Sequence, residues 1–157
     1  MAATLKVKIQ EDIILDNQDY GSKRTFEISS IANITKKIVT IASGDDATVL
    51  VFKSTTASAD SALDLQNVKY IRITNLDSSN SVNVSLQLDS GEDNSAADLS
   101  ITHLLEAGRS FLMGAPDEGA HTDDDSATIV TALTDLESII VDPGSNSGQV
   151  EVFVAST

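Results

Sequence analysis

Residues 70–88 read YIRITNLDSSNSVNVSLQL. Ile71 and Ile73 alternate with Arg72 and Thr74, and after a polar stretch Val82, Val84, Leu86 and Leu88 alternate with Asn83, Ser85 and Gln87. A period of two marks an extended strand with one buried face, because successive side chains point to opposite sides. Two such runs around a segment rich in Asn, Asp and Ser predict a β-hairpin.

The same pattern extends in both directions. Upstream, TLKVKIQEDIIL (4–15) sets Leu5, Val7 and Ile9 against Lys6 and Lys8, and DNQDYGSKR (16–24) supplies turn residues. Strands are then expected at RTFEISSI (24–31), NITKKIVTIAS (33–43) and the apolar run ATVLVF (47–52), which reads as buried. Downstream, LSITHLL (99–105), SFLM (110–113) after a turn at Gly108, TIVTAL (128–133), LESIIV (136–141) and QVEVFVAS (149–156) continue the series, with DPGSNSG (142–148) as a turn. A helix competes at ATIVTALTDLESII (127–140), where Ile129, Leu133, Leu136 and Ile140 fall near helical spacing, but its Thr and Ile favour strand. Nine to eleven short strands separated by turn signals predict an all-β fold with little helix. The expected architecture is one antiparallel β-sandwich or jelly-roll domain over residues 1–157.

Composition fits packed sheets. Hydrophobic residues make up 41% of the 157, aromatics only 4%, so the core must be mostly Val, Ile, Leu and Ala. The absence of cysteine removes disulfides, thiol nucleophiles and thiolate metal sites. No apolar run approaches the length of a membrane helix, so no membrane partner is expected. A net charge of −14 argues against nucleic acid, which demands an electropositive face. The charge is uneven: residues 1–40 carry Lys6, Lys8, Lys23, Arg24, Lys36 and Lys37 against five acids, so the excess of acid lies in residues 41–157. The candidate partner-binding residues are Lys6, Lys8, Lys36 and Lys37 on the N-terminal strands. Arg72, beside Tyr70 on the outward side of its strand, reads equally as an interface anchor or an ordinary sheet residue.

Reactive chemistry is sparse. Asp89, Glu92 and Asp93 in one acidic loop, and Asp117, Glu118, Asp123, Asp124 and Asp125 in another, offer hard oxygen ligands, but neither loop has the spacing of a calcium loop. The expectation is a solvated acidic surface and no metal. His121 beside the second cluster reads as exposed, and His103 as a strand residue at a sheet margin. GRSFLMG (108–114) lacks the glycine-flanked elbow of a hydrolase serine, and no nucleotide-binding glycine loop occurs, so neither catalysis nor a cofactor is expected.

LKVKIQEDIIL (5–15), KKIVTI (36–41), VKYIRITNLDSSNSVNVSL (68–86), LLEAGRSFLM (104–113) and VEVFVAST (150–157), in that order, resemble small virion structural proteins of tailed bacteriophages, notably those of T4-like marine cyanophages. The resemblance implies a β-sandwich or jelly-roll component of a virus particle. Its expected role is capsid decoration (cement), as a dimer or trimer that binds the major capsid protein or other virion proteins on the capsid surface and bridges neighbouring capsomers. A neck, tail or receptor-proximal component, or a carbohydrate-binding module, is the alternative. The charge distribution adds the expectation that the N-terminal segment is a docking arm facing the particle while the acidic loops face solvent.

Overall fold

The computed structural model describes residues 2–53, 62–88, 99–122 and 132–157. The described chain is all-β, with thirteen strands and two single-turn 3₁₀ segments at Leu65–Asn67 and Pro116–Glu118. The strands are β1 (Ala3–Glu11), β2 (Ile14–Leu15), β3 (Gln18–Asp19), β4 (Ser22–Ile31), β5 (Asn33–Ile41), β6 (Ala47–Lys53), β7 (Leu63–Asp64), β8 (Val68–Asn75), β9 (Val82–Leu88), β10 (Leu99–Leu105), β11 (Ser110–Met113), β12 (Leu136–Asp142) and β13 (Gly148–Ser156). The excess over nine to eleven comes from β2, β3 and β7, each two residues long and too short to show alternation.

Two sheets form a sandwich. One has the order β10-β9-β12-β6-β7, the other β11-β8-β13-β5. The expected hairpin over residues 70–88 does not form: β8 pairs with β11 and β13, whereas β9 pairs with β10 and β12. The chain instead arches from one sheet to the other. Alternation is retained because both strands bury one face; Ile71 and Ile73 of β8 share the core with Val82, Val84, Leu86 and Leu88 of β9.

Asn75, fully buried at the end of β8, helps hold the arch. Its Nδ2 donates to the carbonyls of Asn80 (2.8 Å) and Leu105 (3.1 Å), and its Oδ1 accepts from the Asp77 N–H (3.0 Å). The Asp77 carboxylate then accepts from the N–H groups of Ser79 (2.8 Å) and Asn80 (2.9 Å), which hold its carboxyl below the usual carboxylate range.

The pairings follow one rule. β9 pairs with β10, β8 with β11, β6 with β12 and β5 with β13, all antiparallel. Strands equally distant in sequence from the β9–β10 connection are therefore neighbours, as if one long hairpin had been rolled up. With four of these strands in each sheet, this is the arrangement of a jelly roll. Val150, Val152 and Val154 of β13 complete one wall of the core, and Val49, Phe52, Ile139 and Val141 of β6 and β12 complete the other.

Residues 136–142 are strand rather than helix. A register irregularity between Leu136 and Ser138 lets Leu136 and Ile139 face the core three residues apart, which is how a bulged strand imitates helical spacing. Residues 127–131 of the competing helix lie outside the described residues.

Candidate docking interface

β1 and β4 belong to neither large sheet. They form a separate antiparallel ribbon, from Ala3 opposite Ile31 to Glu11 opposite Ser22, extended by the small β2–β3 pair. Its tip turns at Asp16 and Asn17, both at positive φ (51° and 62°). Two successive residues there make the tight turn that matches strand twist, and Asp and Asn tolerate it best after glycine. Gly21 lets the strands close beneath the tip, since a Cβ there would lie 2.6 Å from the Glu11 carbonyl.

Cross-strand pairing sorts the ribbon into two faces. Leu5 opposes Ile28 and Val7 opposes Phe26 on one; Lys6 opposes Glu27, Lys8 opposes Thr25 and Gln10 opposes Lys23 on the other. The apolar face meets the outer side of the four-stranded sheet at its base, where Leu5, Val7 and Ile28 pack with Ile31, Tyr70, Ala155 and Phe153. The Tyr70 ring lies 6.5 Å from Phe26 and 6.1 Å from Phe153, centroid to centroid. Burial raises the Tyr70 hydroxyl above its ordinary value, and the nearby Arg72 charge partly offsets this.

Beyond the base that face becomes mixed, with Ile9 opposite Arg24 and Glu11 opposite Ser22, and the tip is bare. Ile13, Ile14, Leu15 and Tyr20 at the tip are 54%, 75%, 58% and 59% exposed. An apolar cluster on the end of a two-stranded projection is unusual, because such a ribbon has little core to stabilise it by itself and apolar patches in solvent tend to mark contact surfaces. This tip was missed from sequence. Its signal was the run Ile13-Ile14-Leu15 between Asp12 and Asp16, three apolar residues in succession beside a turn.

The five candidate residues fall in three places. Lys6 and Lys8 lie on the polar face of the ribbon, Lys6 in an exposed ion pair with Glu27 at 2.7 Å. Lys36 lies on the outer face of β5, its ammonium 3.0 Å from the Glu151 carboxylate. Lys37, one residue on, points to the opposite face, so the two lysines do not form one patch on a single face. Arg72 sits on the outer face of β8, half-buried; it pairs with the same Glu151, donates to Thr74 Oγ1 (2.8 Å) and lies 5.8 Å from the centre of the Phe153 ring. Hydrogen bonds from Lys36 first and Arg72 second hold the Glu151 carboxyl below the usual range.

Asp117 pairs with Lys69 on β8. Asp89, Glu92, Asp93, Asp123, Asp124 and Asp125 lie outside the described residues, and the predicted exposure of their loops with them. Among the described residues there is no group of three or more His, Asp or Glu side chains placed to share a metal ion. His103 is exposed on edge strand β10, its ring 5.6 Å from Phe111, and His121 Nδ1 is 2.8 Å from Thr134 Oγ1. No helix among the described residues is long and apolar enough to cross a membrane.

No family model and no curated protein matches the chain. Among solved structures, it is similar to a chain from Bacillus endospore appendages, described as a novel family of disulfide-linked pili. The identity is 11% and the TM-score 0.38, over 79% of this chain and 88% of that one. A likeness this distant carries no inference about function.

Proposed function

We propose that this chain is a structural subunit of a virus particle, a capsid decoration protein that binds the assembled head and bridges neighbouring capsomers. The observation that carries the reading is the amphipathic ribbon projecting from the jelly roll. A rolled sandwich supplies a rigid body, and the ribbon supplies a surface with more apolar area than the body covers. The sequence resemblance to virion proteins of tailed phages supports the same reading.

The polar face of the ribbon, with Lys6, Lys8 and Lys23, is turned away from the chain's own sheet and is suited to an acidic shell. A protein that binds only assembled shells stabilises them by mass action. The test is cosedimentation of the purified protein with heads and, separately, with tails. Saturable binding to heads is expected; binding confined to tails, or glycan binding without attachment to any particle part, would overturn the assignment.

A further inference from the structure

The ribbon tip and the outer face of β5 are two uncovered surfaces that each carry exposed apolar side chains. At the ribbon base, Leu5, Val7 and Ile28 already lie on the outer face of the four-stranded sheet. Farther along that face Ile9 lies opposite Arg24 and Glu11 opposite Ser22, and beyond them the tip exposes Ile13, Ile14 and Leu15, with Ile14 and Leu15 on opposite sides of β2. Across the sheet the outer face continues, equally uncovered, to Ile34 (51% exposed) and Ile38 (57%) on edge strand β5. Within one chain these surfaces do not meet. The ribbon is laddered from Ala3–Ile31 to Glu11–Ser22, which at about 3.3 Å per residue sets its tip roughly 26 Å from its base.

Charge fits the two ends together. The tip carries Glu11, Asp12, Asp16 and Asp19, with no basic residue from 11 to 22. On the outer face beside β5 the single carboxylate of Glu151 answers both Lys36 and Arg72, which leaves one positive charge in excess there. An acidic tip with exposed apolar side chains is thus complementary to an apolar strip that carries one excess positive charge.

We infer that the occupant of the strip is a second copy of this chain: the ribbon tip of one copy docks on the outer face of β5 of the next. Tip and strip are different surfaces, so the contact is head-to-tail and generates a ring or an open chain of subunits. The inference goes beyond the particle assignment, and its test is separate, because self-association of the purified chain is read without any particle present.

Light scattering on the full chain tests it through complementation. The unaltered protein should show a mass above that of one chain, rising or constant with concentration. Ile14→Asp/Leu15→Asp, altered only at strongly exposed sites, should show the mass of a single chain, and so should Ile38→Asp. Thermal midpoints close to the parent's establish that the variants fold, and Ile34→Asp replaces Ile38→Asp if that one does not. An equimolar mixture of the tip and strip variants should form a 1:1 dimer and stop there, since one intact tip meets one intact strip. A parent that stays a single chain, a variant that associates like the parent, or a mixture that stays dissociated would each overturn the inference; the last outcome would point to a symmetric tip-to-tip contact.

Discussion

Asn75 is the one fully buried polar side chain in the described core, and its donors and acceptor are all engaged at the β8–β9 arch. Asn75→Ala leaves two carbonyls and one N–H short of partners, and should cost about 2 kcal/mol in denaturant unfolding. Leu at the same position should do no better, because the deficit is in hydrogen bonds and not in volume. Glu151 makes a different prediction. Its carboxyl is held below the ordinary Glu value by Lys36 and Arg72, so its stabilising contribution is complete above that ordinary value, about 4.3, and is lost as pH falls through the lower folded value. Glu151→Gln should therefore lower the thermal midpoint at neutral pH, and the difference from the parent should vanish in strong acid. Arg72 was visible in the sequence as an outward-facing residue, but its partners were not, since Glu151 is 79 positions away.

At the scale of elements, Ile139 on β12 has no exposed surface and packs between the sheets; Ile139→Ala should cost roughly 2–5 kcal/mol, read from the denaturation midpoint. The ribbon divides into separable faces. Lys6→Glu with Lys8→Glu should weaken attachment to purified heads without changing the thermal midpoint, and more than neutralising Asp123, Asp124 and Asp125 does. Failure of the acidic-loop variant alone would reverse the proposed orientation. Most of the long strands were legible because alternation reports burial directly. Their partners were not, because two strands that face each other across a core show the same alternation as two that lie side by side. Residues 70–88 show the difference: the Asp77 turn looks like a hairpin turn in sequence, and only the pairing of β8 with β13 and β9 with β12 reveals an arch. The apolar tip was overlooked for a related reason, since Ile13 to Leu15 read as the end of a strand with no sign that nothing covers them.

In the whole molecule the jelly roll and the ribbon divide the work. Rolling the chain about the β9–β10 connection places β5 and β13, the first and last strands of the roll, side by side, and the ribbon leaves the body where β4 bends into β5, with Ser30 at positive φ (63°) and Ala32 N–H bonded to the Ser156 carbonyl (2.9 Å). A jelly-roll body with a two-faced projection can hold a neighbour by the tip of the projection and a shell by its lysine face. Cryo-electron microscopy of heads saturated with the purified protein tests that account most directly. It predicts density for the jelly roll repeating over the shell lattice, with the lysine face of the ribbon against the capsid surface. Density confined to the neck or tail, or bodies on the shell with the ribbon pointing into solvent, would contradict it.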